Sequence, residues 1–197
     1  MPQSRVKSPI AKSDPCSPMY SYGIQKVAAE EYLRLAAHKG YLTATVLRVG
    51  NAYGTLQSQF RMQGVIGVAI NSIVHRQAVR LFGNPNNVRD YIHLEDISNI
   101  AVRTSVPRQA FSIVNVGTGV GHSVLNVLRM IEECRGEPIE LQSDPSCGDR
   151  LAEWVVLDNS KARAEFGWSP AKNLRSGIAG ILEECRVDSE LASRPAY

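Results

Sequence analysis

From Tyr20 to His38 apolar residues recur at helical spacing, Val27, Leu33, Leu35 and Ala36 among them, and Gly40 then closes the run. The stretch Thr43-Ala44-Thr45-Val46-Leu47-Arg48-Val49 follows at once, rich in β-branched side chains and short enough to be a buried strand. A helix that hands over directly to such a strand points to an α/β layer. The rest of the chain repeats that alternation. Gln63 to Arg76 reads as a helix, Ala78 to Phe82 and Val88 to His93 as strands around an Asn/Gly/Pro turn, and Leu94 to about Val106 as a helix. Phe111 to Val116 reads as a strand and Ser123 to Arg135 as a helix. Pro138–Leu141 and Trp154–Leu157 read as strands with a loop between them, and Leu174 to Val187 as a last amphipathic helix. Met1 to Ser17, punctuated by Pro2, Pro9 and Pro15, reads as an irregular lead that makes no core of its own, and Asp188 to Tyr197 as a polar tail.

Composition narrows the function classes. Twenty-two basic residues against 19 acidic give a net charge of +3, scattered and without a Lys/Arg run, which argues against a nucleic-acid surface but leaves room for an anionic small molecule. Cys16, Cys134, Cys147 and Cys185 have neither Cys-x-x-Cys spacing nor a nearby histidine pair, so no metal site or disulfide framework is readable. With no apolar run long enough for a bilayer and no signal-peptide core at the N-terminus, the expectation is a cytoplasmic protein without membrane or nucleic-acid partners.

Within the first helix Tyr22 and Lys26 stand four residues apart and therefore share a face. An ammonium held one turn from a phenol favours the phenolate, so the pair could serve as a proton acceptor in alcohol-to-ketone chemistry. Taken alone it is equally compatible with a packed phenol beside a solvated ammonium. Gly50-Asn51-Ala52-Tyr53-Gly54 lies at the C-terminal end of a strand, where open α/β sheets place their ligand crevices, although a plain Asn/Gly turn would carry the same residues. In Arg89-Asp90-Tyr91-Ile92-His93-Leu94-Glu95-Asp96, the planar guanidinium of Arg89 offers a fork of donors suited to a diphosphate; a salt bridge to Asp90 or Glu95 is its ordinary alternative. A lone strand-end His93 reads as a structural group, and Glu95 and Asp96 as caps or charges on the first turn of the next helix. Gly117-Thr118-Gly119-Val120-Gly121 has the look of a phosphate loop, but the further βαβ units that should follow a dinucleotide fingerprint are missing.

Several of these stretches together resemble the extended short-chain dehydrogenase/reductases, and within them the sugar-nucleotide epimerases and dehydratases. The matching residues are Pro18 to Glu30 around Tyr22-x-x-x-Lys26, Arg48-Val49-Gly50-Asn51-Ala52-Tyr53-Gly54, the run Arg89 to Asp96, Asn115 to Ser123, and Asp158 to Pro170. The resemblance extends from Pro18 to about Val187 and corresponds to the C-terminal portion of a full-length relative. It implies the C-terminal part of a Rossmann-type doubly wound parallel sheet plus a small α/β substrate-binding domain. By the same resemblance Tyr22 and Lys26 are catalytic and contact NAD, and Asn51 and Arg89 bind the diphosphate of a UDP-sugar or related nucleotide sugar. Arg150 stands, displaced, where relatives carry a second diphosphate-binding arginine. The glycine-rich NAD loop and the catalytic Ser or Thr of the family have no counterpart in this sequence, so a chain inactive by itself is the alternative expectation. A homodimer through the Tyr22 helix is also implied.

Overall fold

The computed structural model describes residues 9–14, 16, 18, 20–54, 64–144 and 153–192. The first helix, α1 (Ser21–His38), leads into β1 (Ala44–Val49), which pairs in parallel with β5 (Phe111–Val116) from Ala44↔Phe111 to Val49↔Val116. Among the described residues no second strand pairs with β1. At Gly50 the chain leaves that sheet and passes close over the next one: a Cβ at Gly50 would stand 2.8 Å from the Asp90 carbonyl oxygen, so only glycine fits. The backbone then continues extended as β2 (Asn51–Tyr53), where sequence reading placed a motif after the strand's end rather than a second strand.

β2 lies parallel to β4 (Val88–His93), and β4 is the hub of this sheet, pairing also with β6 (Gly121–Ser123) in antiparallel and with β8 (Trp154–Val155) in parallel register. A third pair, parallel, joins β3 (Val79–Phe82) to β7 (Leu141–Asp144). The expected strand at Pro138–Leu141 is thus displaced toward the C-terminus: Ile139 is buried and Glu140 accepts from the Val79 amide, but the ladder itself begins at Leu141. β6 was invisible in the sequence because three residues ending in a Ser cap show no strand periodicity.

Helices α2 (Val65–Val74), α4 (Val124–Arg135) and α6 (Leu174–Ala192) pack Ile66, Ala69, Ile70, Val127, Leu128, Ile131, Ile178 and Ile181 against Tyr53 and Tyr91 in one core. A second core joins Ile92, Val114 and Val116 to Ile100 of α3 (Leu94–Thr104) and to Ala162 and Phe166 of α5 (Ser160–Phe166), closed by Trp168. Ser123 caps α4 by accepting from the Asn126 amide at 3.1 Å, and Gly136, at φ +80°, ends it in the left-handed conformation. α6 runs five residues past the expected end at Val187, so the first half of the predicted polar tail is helical. The lead is likewise less irregular than its prolines suggest. Ile10 donates to the Val156 carbonyl at 2.7 Å and accepts from Asp158 N at 2.9 Å and from Asn115 Nδ2 at 2.9 Å, bridging in parallel to Leu157. No helix among the described residues is long and apolar enough to cross a membrane.

Candidate active site

Tyr22 and Lys26 fall one turn apart on α1, and the Lys26 Nζ lies 5.2 Å from the centre of the Tyr22 ring, a cation–π distance. The phenol is 69% exposed. α1 is tied to β1 through a half-buried fork in which Arg48 Nε and Nη2 donate to Glu30 at 2.9 and 2.6 Å, so the helix bearing the pair has a fixed seat on the strand that leads to Asn51.

A second group of residues forms around β4. Side chains alternate along a strand, so Arg89, Tyr91 and His93 share one face. Asn51 and Tyr53 are the register partners of Tyr91 and His93 and stand on that face too, with the Tyr53 and His93 rings edge-to-face at 5.1 Å. Asn51, Tyr53 and Tyr91 border a small, open cleft together with Gly64 to Gly67 at the start of α2. Burial pushes the Tyr53 and Tyr91 phenols up to about 12, so both stay neutral hydrogen-bonding groups; Asp96 reinforces the shift at Tyr53 and Arg89 opposes it at Tyr91.

Arg89 is half-buried, and the salt bridge that is an arginine's ordinary fate does not form. Its Nη1 donates to the Val88 carbonyl at 2.8 Å, and among the described residues no carboxylate pairs with it. Desolvation accordingly lowers its pKa, with Tyr91 as a weak opposing influence. A cation held partly out of water without a counter-ion is poised to gain from a bound anion.

Asp90, next in the strand, faces the other way and is 1% exposed. Its carboxylate accepts from Thr118 N at 2.8 Å, Thr118 Oγ1 at 2.6 Å, Gly119 N at 3.0 Å and Leu157 N at 3.2 Å. The built-in Asp90 thereby occupies the amide nest of the Gly117–Gly121 loop that a phosphate would need, and a Cβ at Gly117 would collide with the same carboxylate. The loop that looks like a phosphate cradle is a structural clasp.

His93 caps α3 by accepting from the Glu95 amide at 3.2 Å, a structural role as expected. Asp96, like Glu95, lies in the first turn of α3, as expected, but its carboxylate is spent elsewhere. Instead of capping α3 it is buried and accepts from the amides of Ala171 and Lys172 at 2.9 and 3.2 Å, while its own carbonyl accepts from Trp168 Nε1 at 3.1 Å. Glu95 stays exposed, 3.2 Å from Lys172 Nζ. Arg150 lies outside the described residues. Tyr91 was not singled out from the sequence, yet it lines the cleft; its spacing of two from Arg89 is the signal that marks it. The structure thus groups Asn51, Tyr91 and Arg89 on one sheet face and pairs Tyr22 with Lys26 on α1, which does not line that cleft. No cluster of three or more His, Cys, Asp or Glu suited to a metal occurs among the described residues.

Residues 2–117 match the NAD dependent epimerase/dehydratase family. A UDP-glucose 4-epimerase of Mycolicibacterium smegmatis is 30% identical over 92% of this chain and 58% of its own length. A dTDP-6-deoxy-L-talose 4-dehydrogenase of Kitasatospora kifunensis is 30% identical over 85% of this chain and 54% of its own. The chain therefore spans little more than half the length of these relatives. Among solved structures, the UDP-glucose 4-epimerase of Thermotoga maritima with UDP-glucose superposes with a TM-score of 0.82 at 28% identity, covering 94% of this chain and 60% of that one. The UDP-glucose 4-epimerase of Bifidobacterium longum in complex with NAD+ and UDP gives 0.81 at 26% identity, over 93% and 60%. A Rossmann-type α/β fold is common to them.

Proposed function

We propose, on the premise that this chain belongs to the NAD-dependent epimerase/dehydratase family, that it is the acid–base and sugar-nucleotide-binding portion of a nucleotide-sugar 4-epimerase. The observation that carries this reading is Arg89: a half-buried guanidinium without a carboxylate partner among the described residues, on the sheet face where Asn51 and Tyr91 line a cleft. An anionic ligand with an uncharged remainder suits such a site, and the diphosphate of a nucleotide sugar is that kind of ligand. In this reading Arg89 and Asn51 hold the diphosphate, and Arg150 is a further candidate for it. Tyr22 takes the proton of the sugar hydroxyl, and Lys26 holds Tyr22 in its reactive form and the nicotinamide ribose in place.

NAD, when bound, would supply the hydride acceptor and donor that inversion of an alcohol centre needs, while Tyr22 would take up the hydroxyl proton and return it. Among the described residues, those that suit the cofactor fit one end of it. Tyr22 and Lys26 suit the nicotinamide ribose, whereas the amides of the Gly117–Gly121 loop are consumed by Asp90 and cannot hold the pyrophosphate. In this reading turnover draws the pyrophosphate site from a segment other than this loop. The same observation favours a second reading, a sugar-nucleotide-binding or association module without catalysis. The cytoplasm and a homodimer through α1 complete the proposal.

Titration of the chain with UDP-glucose, then with NAD and a separately supplied nucleotide-binding half, separates the readings. The enzyme reading expects UDP-glucose binding that Arg89→Ala weakens, and turnover that Tyr22→Phe lowers by roughly 10²–10⁴-fold while binding persists. Binding with no turnover under any supply of the other half leaves the module; absence of UDP-glucose binding overturns both.

A further inference from the structure

The sheet face that carries Arg89 and Tyr91 continues onto β6, where His122 stands directly across from Arg89 in antiparallel register. Directly opposed residues of an antiparallel pair share a face, with Cβ atoms about 4.5–5.5 Å apart, so His122 and Arg89 leave the sheet on the same side as neighbours. On the other flank of Arg89, β8 contributes Val155, an apolar neighbour. The nearest acid along the strand, Asp90, faces away and spends its oxygens on Thr118, Gly119 and Leu157. Among the described residues the ring nitrogens of His122 make no hydrogen bond, and Arg89 makes only the one to the Val88 carbonyl. Burial lowers the pKa of both groups, with Asp90 partly opposing this at His122. Two basic side chains short of solvation and of partners, opposite each other in register on the sheet face that carries Tyr91, form a composite donor site that no protein group among the described residues fills.

We propose that His122 is a second ligand-binding residue beside Arg89, donating a ring N–H to the phosphate groups of the nucleotide sugar. The inference rests on the nucleotide-sugar reading and deepens it, by naming the residue that shares the diphosphate with the arginine. The register explains why sequence inspection passes over it. His122 lies 33 positions from Arg89, in a three-residue strand with no periodicity of its own, and only the β4–β6 ladder makes them neighbours.

The test uses the full chain and compares UDP with uridine, which lacks the phosphates. In the wild-type protein the His122 ring resonances, assigned by their loss in His122→Gln, should shift on adding UDP and stay in place with uridine. His122→Ala should weaken UDP binding about tenfold, the worth of one hydrogen bond to a charged group, and His122→Gln, which keeps an N–H donor, should recover most of that loss. Ring resonances unmoved by UDP, in a protein whose UDP binding Arg89→Ala abolishes, overturn the role of His122 and leave the nucleotide-sugar reading standing. A wild-type chain that binds no UDP overturns both.

Discussion

The α1/β1 layer and the sheet centred on β4 are built to different standards. On α1 only Ala37 is buried, while Tyr22, Ile24, Tyr32 and Leu35 stand more than half exposed, and β1 has a single strand neighbour among the described residues. β4, by contrast, pairs with three strands and buries Asp90, Tyr91, Ile92 and His93 between two cores. The proposed acid–base pair therefore rides on the exposed layer and the proposed diphosphate group on the rigid one. Where a side chain's position is over-determined by packing, its geometry is set before a ligand arrives. Where it is not, a neighbouring surface must finish the job.

That contrast can be broken by substitution. The largest effect is expected at Asp90→Ala, which strands four donors in the interior; a loss on the order of 4 kcal/mol should show in urea denaturation, and a loss below about 1 kcal/mol would mean the clasp is not what fixes the Gly117 loop. Ile178→Ala, at a fully buried position of α6, should cost about 2–5 kcal/mol by leaving a cavity between α6 and the cleft-lining tyrosines. Glu30→Gln weakens the tie between α1 and β1 and should cost about 1–2 kcal/mol, with faster hydrogen exchange confined to α1; exchange that rises equally in α4 and α6 would erase the distinction between the layers. Tyr22→Phe should be smallest, within about 0.5 kcal/mol of wild type, since the ring edge is largely in water.

The buried tyrosines sharpen the comparison through pH. Tyr53 and Tyr91 have folded-state values near 12 against an ordinary value of 10.0. A raised folded pKa means the native state holds its proton more tightly, so this contribution is fully present below about pH 10 and is lost as pH climbs toward 12. Alkaline unfolding followed by phenolate absorbance should thus show the β4 core giving way in that window. Tyr91→Phe should shift the transition upward, and an unmoved transition would place its cause elsewhere.

Much of the architecture was legible because the signals are local. β4 and β5 carry the bounds read from the sequence, α4 ends at Arg135 as read, and the Tyr22/Lys26 offset follows from helical rise alone. The same holds for the Arg89 motif, whose residue types state an appetite for anions wherever they are placed. What the sequence could not give is which groups would be spent on the protein itself. Asp90 reads as a possible salt-bridge partner of Arg89 and Asp96 as a charge on the first turn of α3, yet one clasps the Gly117 loop and the other the 171–172 turn, because each is buried where backbone amides from distant segments converge and must be satisfied. By itself the sequence determined the order of the elements and the chemistry available at Tyr22, Lys26, Asn51 and Arg89. Only the tertiary structure decided that Arg89 would keep its charge unpaired among the described residues and acquire His122 as its neighbour, since hydrogen-bond registry between strands far apart in the chain is a property of the folded sheet and leaves no periodic trace in either segment.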